Sequence, residues 1–204
     1  MTIIQQIAIL APPFLFALTI HEYCHGWVAA RFGDPTARAM GRLTLNPLKH
    51  LDPLGILAFI IMKIGWAKPV PVDPRYFKNP MKDMIWVSLA GPGANILTAI
   101  ASAVLAWFVA LLSPVIPGFL LFPLYQMLAA SIWINIVLAV FNLLPIPPLD
   151  GSKVLMGLLP RRQADLFSKL EPFGFLILLA LFYLGILQKI LSPIIGFAHN
   201  IIAG

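Results

Sequence analysis

Residues 3–30 read IIQQIAILAPPFLFALTIHEYCHGWVAA, an apolar run that carries no charged side chain until it reaches His21 and Glu22. About 20 mostly apolar residues suffice for a helix to cross a bilayer, so this stretch predicts a membrane span with a polar cluster near its far end. It lacks the basic leading region and small-residue cleavage site of a secretory signal, so it reads as a retained span. Working outward, further apolar stretches cover residues 84–112, 120–144 and 173–197. Of the 204 residues, 60% are hydrophobic and 11% charged, whereas soluble domains are about a quarter charged. The expected fold is an all-α polytopic membrane protein with about four transmembrane helices and room for five or six segments. Residues 1–204 are expected to form a single membrane domain.

The charge distribution orients this bundle. Nine basic residues lie between the first and second spans: Arg31, Arg38, Arg42, Lys49, Lys63, Lys68, Arg75, Lys78 and Lys82. Lys153, Arg161, Arg162 and Lys169 lie between the third and fourth, and the connector at 113–118 has none. Thirteen of the 14 basic residues therefore fall on one side, which the positive-inside rule makes cytoplasmic. Both termini would face outward, in the cell membrane. The net charge of +6 is a topology signal and leaves nothing for a nucleic-acid partner to explain.

Two shorter stretches interrupt the pattern. Residues 54–62 are apolar but too short to span, and making them a span would divide the nine basic residues between the two faces, so a re-entrant or interfacial segment is expected. Residues 65–72 contain Pro69 and Pro71 and read as an edge strand or hairpin arm able to pair with an extended peptide, or as a plain surface loop. The 19 prolines gather at 12–13, 69–80, 114–123 and 145–148, which implies broken segments at membrane depth. The lone Cys24 excludes an intrachain disulfide and reads as a packed thiol.

Charges in apolar surroundings mark function. Of eight acidic residues, Glu22 and Asp150 have such surroundings. Glu22 belongs to His21-Glu22-Tyr23-Cys24-His25, where the two histidines are four apart and share one helix face. Imidazoles so placed can hold one zinc ion, with Glu22 beside them as general base toward a zinc-activated water. A bland alternative is a helix end whose histidines reach interfacial water. A catalytic zinc needs a third protein ligand. His50 and His199 lie in polar or terminal contexts, whereas Asp150 follows a proline-broken stretch and precedes Gly151. Its alternative role is a turn aspartate.

His21-Glu22-Xaa-Xaa-His25 in the first span, Gly91-Pro-Gly-Ala-Asn95 in the second, and Asn142 to Gly151 after the third together resemble the site-2 proteases, the intramembrane metalloproteases of peptidase family M50. The extended stretch around Pro69 and the lack of a PDZ-like insert resemble the compact branch of that family. The resemblance covers nearly the whole chain. It implies one Zn2+ per chain held by His21, His25 and Asp150, with Glu22 as the catalytic base. It also implies a substrate-positioning or oxyanion-stabilising role for Asn142, and an approach of Asn95 to the site. From the residues alone, Asn95 reads first as a hydrogen-bonding residue of a helix contact that Gly91 and Gly93 make close. The implied partners are the bilayer and a transmembrane protein substrate, with an accessory regulator or a second copy as a further option. The competing readings are a membrane metal-ion transporter, which usually shows a repeated half, and a catalytically silent metal-binding membrane protein.

Overall fold

A computed structural model describes residues 2–62 and 66–203, with the side chains of 56 and 59–62 left aside. Lys63 and Gly65, counted above in the basic loop and the extended arm, lie outside the described residues. Among the described residues nine helices follow one another: α1 (Ile3–Arg31), α2 (Thr36–Ala39), α3 (Pro53–Met62), α4 (Pro80–Leu111), α5 (Gly118–Asn142), α6 (Asp150–Leu158), α7 (Arg161–Ser168), α8 (Gly174–Tyr183) and α9 (Ile186–Ala203). Among the described residues there is no strand.

Among the described residues, five helical runs are long and apolar enough to cross a membrane: α1, α4, α5, the run Arg161–Tyr183 that contains α7 and α8, and α9. Their outer faces carry large exposed apolar side chains such as Leu97, Trp107 and Phe119. Water would not tolerate such a surface, and lipid does. The chain is an integral membrane protein. Helices α1, α4 and α5 pack against one another, α9 lies along α5, and α6 lies along α4. The buried contact of α4, α5 and α9 is built from Ala99, Ile132, Ile136 and Ile195.

Three expectations are refined. The apolar stretch at 173–197 is not one helix: α8 ends at Tyr183, and Gly185 at φ +69° begins a new direction before α9. A left-handed residue of this kind costs glycine nothing and ends a helix readily. Helix α3 has ten residues, about 15 Å at 1.5 Å per residue, half of a ~30 Å hydrocarbon layer. The described part of the proline-rich arm, from Trp66 on, forms no strand. Ala67 makes a single antiparallel bridge to Leu51, and Lys68 donates its N–H to the His50 carbonyl at 2.9 Å. Pro69 and Pro71 have no N–H to extend that pairing.

The connection from α5 to α6 delivers a carboxylate to the bundle interior. Leu143 closes the end of α5 by donating to the Ala139 carbonyl at 3.1 Å, and Leu149 donates to the Ile146 carbonyl at 2.9 Å. Asp150 is then the first residue of α6 and is buried. Gly151 stands in the first turn of α6. There a Cβ would lie 2.2 Å from the Leu143 carbonyl oxygen, so bare backbone is what lets α6 close against the end of α5.

Candidate active site

Helix α1 sets the spacing. His21 and His25 are one turn apart on it, buried, with imidazole centroids 4.6 Å apart and planes near perpendicular. His21 lies ten residues before the end of α1 at Arg31, about 15 Å along the axis. From the start of α6, Asp150 brings its Oδ2 to 3.1 Å from His21 Nε2 and 3.2 Å from His25 Nε2. The two Nε2 atoms are 3.0 Å apart.

Backbone carbonyls settle which ring nitrogens carry hydrogen. His25 Nδ1 sits 2.7 Å from the Val87 carbonyl, so it donates. His21 Nδ1 sits 2.6 Å from Asn95 Oδ1. Asn95 is oriented by its own amide nitrogen, which donates to the Ala17 carbonyl at 3.0 Å and to Asn135 Oδ1 at 2.8 Å. Asn135 is oriented in turn by donating to the Ser131 carbonyl at 2.8 Å. Asn95 Oδ1 is therefore an acceptor, and His21 Nδ1 is protonated. Both Nε2 atoms are left as lone pairs.

Two imidazole lone pairs and a carboxylate oxygen thus face one another in a buried space, all within 4.8 Å, and Asp150 Oδ2 has no hydrogen-bond donor. Like electron pairs at that separation repel unless a cation lies between them. Atoms bound about 2.1 Å from one tetrahedral zinc lie roughly 3.4 Å apart, close to the observed 3.0–3.2 Å. The donor set of two histidines and one carboxylate is that of a catalytic zinc with a fourth position open. Acceptors behind both Nδ1 atoms fix the orientation of the rings, as ligating histidines require. Among the described residues this is the one such grouping.

The remaining candidates separate. Glu22 does not join the cluster; its Oε2 accepts the Val70 N–H at 2.8 Å. Asn142, the last residue of α5, donates its side-chain amide back to the Leu138 carbonyl at 2.9 Å within its own helix. Asn95 stands behind His21, on the far side from Asp150. His50 is buried with Nε2 on the Thr44 carbonyl at 2.8 Å, and His199 packs edge-on to Trp133, so neither belongs to the cluster. Cys24 is half-buried and free. Asn135 was missed, although an amide in the middle of an apolar span carries the same signal as Asn95. The Val87 carbonyl and the Val70 amide are backbone groups with no sequence signature. Gly91 also went unread as a site residue: it faces both imidazoles, with His25 Nε2 only 2.4 Å from where a Cβ would stand.

Comparisons with known proteins agree with this chemistry. The model of peptidase family M50 matches residues 121–185, which include Asp150. A Bacillus subtilis (strain 168) protein named "Putative zinc metalloprotease YwhC" is 38% identical over 198 residues, covering 89% of this chain and 83% of that protein. Two proteins named "Putative zinc metalloprotease Rip2" align over more of this chain than of themselves. The one from Mycolicibacterium smegmatis is 33% identical, over 82% of this chain and 64% of its own length. The one from Mycobacterium tuberculosis (strain H37Rv) is 31% identical, over 83% and 64%. No solved structure matches the chain. The transporter and silent-binder readings are not favoured by these relatives. A similarity that covers 83% of YwhC at 38% identity, joined to a buried histidine–carboxylate cluster able to hold a metal ion, shows that the chain belongs to peptidase family M50 and is an intramembrane zinc metalloprotease.

Proposed function

We propose that residues 1–204 act as one membrane-embedded peptidase domain that hydrolyses peptide bonds of transmembrane protein substrates, with His21, His25 and Asp150 as the zinc ligands and Glu22 as the base. The observation that carries this reading is the convergence of a buried carboxylate oxygen with two buried imidazole Nε2 atoms whose partner Nδ1 atoms are already engaged. Zinc, when bound, supplies Lewis acidity to a water and to the scissile carbonyl. Glu22 takes the proton of the attacking water at its free Oε1, its Oε2 being held by the Val70 amide, and returns that proton to the leaving nitrogen.

A substrate helix hides its amides in internal hydrogen bonds and must unwind before any of this can happen. Asn142, the last residue of α5 and eight residues before Asp150, is the residue we assign to contact with the unwound chain. The asymmetry of basic residues, dense between α1 and α4, supports a site toward the cytoplasm, in the cell membrane. An impermeant maleimide that labelled a cysteine placed at Lys82 from outside intact cells would contradict that orientation.

The test uses purified chain in detergent micelles and a synthetic single-span peptide carrying a fluorophore and a quencher. Cleavage is expected to fall to background when zinc is stripped by a chelator and to return when zinc alone is added back. Cleavage that continues through chelation would refute the metalloprotease mechanism.

A further inference from the structure

We propose that the extended segment of residues 67–73 is a strap that holds Glu22 in its working orientation, and that Arg42 and Asp34 are positioning residues acting through it. The inference rests on the reading of Glu22 as the proton acceptor. Pro69 and Pro71 have no N–H, so Val70 carries the one amide donor of that three-residue stretch, and this donor is spent on Glu22 Oε2. Val70 itself is buried.

Both ends of the strap are pinned by buried groups. On the near side, Lys68 donates its N–H to the His50 carbonyl at 2.9 Å, and the Lys68 carbonyl accepts from Arg42 Nη2 at 2.7 Å. On the far side, Asp73 donates its N–H to Asp34 Oδ2 at 2.8 Å. Asp34 is fully buried, and its other oxygen takes the N–H and hydroxyl of Thr36, so its orientation is set by its own loop. Arg42 is 7% exposed. Burying a carboxylate and a guanidinium is costly unless each is bonded. Here both are bonded to the backbone on either side of the one amide that reaches the base. A glutamate held at one oxygen keeps the other free for a proton, whereas an unheld glutamate spreads over several rotamers.

The test compares Val70→Pro with Val70→Ala on the single-span peptide. Both shorten or alter the side chain, but only proline removes the N–H. Residue 70 already precedes a proline and is biased to extended backbone, which proline adopts. The expected kcat of V70P is about 100-fold below that of V70A, a share of the factor a general base supplies, with KM and zinc content equal in the two. Arg42→Ala is expected to lower kcat roughly 10-fold by the same route. Arg42→Lys should restore it, because an ammonium also donates to the Lys68 carbonyl. Equal kcat for V70P and V70A would overturn the proposal, and so would a joint fall of kcat, substrate affinity and zinc content.

A second readout needs no turnover. The Pro69–Pro71 stretch holds a single exchangeable backbone hydrogen, and Glu22→Ala is expected to speed its exchange with deuterium. An unchanged rate would sink the strap. Cleavage that survived Glu22→Gln would instead sink the base assignment, whatever the exchange result.

Discussion

Gly91→Ala is expected to abolish both zinc binding and cleavage, although it adds one methyl group and touches no ligand atom covalently. A Cβ at residue 91 would stand 2.4 Å from His25 Nε2, 2.6 Å from His25 Cε1 and 2.7 Å from His21 Cε1. Neither ring can turn away freely, because His21 Nδ1 is tied to Asn95 and His25 Nδ1 to the Val87 carbonyl. Helix α4 must retreat or the ligands must swing out, and overpacking of this kind costs about 1–3 kcal/mol. Against that, alanine in place of glycine favours the helix itself by about 1 kcal/mol. The helix should therefore persist while the site is lost. The control is Gly93→Ala, two residues on, where a Cβ would meet nothing within 4 Å. The sequence suggested that both glycines serve close helix packing, and the structure distinguishes them. Zinc content and cleavage rate should be near parental for Gly93→Ala and at background for Gly91→Ala. Equal behaviour of the two variants would refute the steric account.

Glu22→Gln is expected to lower cleavage about 1,000-fold, within the range general acid–base groups supply, without loss of zinc. Glutamine has the same shape, and its carbonyl oxygen can still accept the Val70 N–H that Glu22 Oε2 now accepts at 2.8 Å. It cannot take up a proton. The two histidines and Asp150 are untouched, so metal content measured on the same preparation should match the parent. Loss of zinc along with cleavage would assign Glu22 to holding the site together and remove it from the chemistry.

Much of the site was legible because its parts announce themselves locally. A helix brings residues four apart onto one face, so His21 and His25 could be paired from spacing alone, and the structure places them one turn apart. Asp150 stood out because a charge in apolar surroundings needs a partner, and it meets both imidazoles. The long apolar runs gave the membrane helices. What was not legible depends on contacts between distant residues. Nothing in the string ties Asn135 to Asn95, yet their 2.8 Å hydrogen bond decides which way Asn95 faces His21. The strap reads from its sequence as an edge strand or a plain surface loop; its prolines leave Val70 the one amide between them, and that amide goes to a side chain 48 residues earlier. The last apolar stretch was read as one helix because hydropathy does not register the turn at Gly185. Asn142 drew attention through a motif, and its amide is occupied within its own helix.

The claim that everything else rests on is that His21, His25 and Asp150 together hold one zinc ion. X-ray absorption at the zinc edge on purified parent and Asp150→Ala tests it most directly. The account predicts about one zinc per parent chain, with two imidazole nitrogens and a carboxylate oxygen around it, and a loss of the metal or of the carboxylate contribution in Asp150→Ala. An identical zinc environment in the two proteins would contradict it.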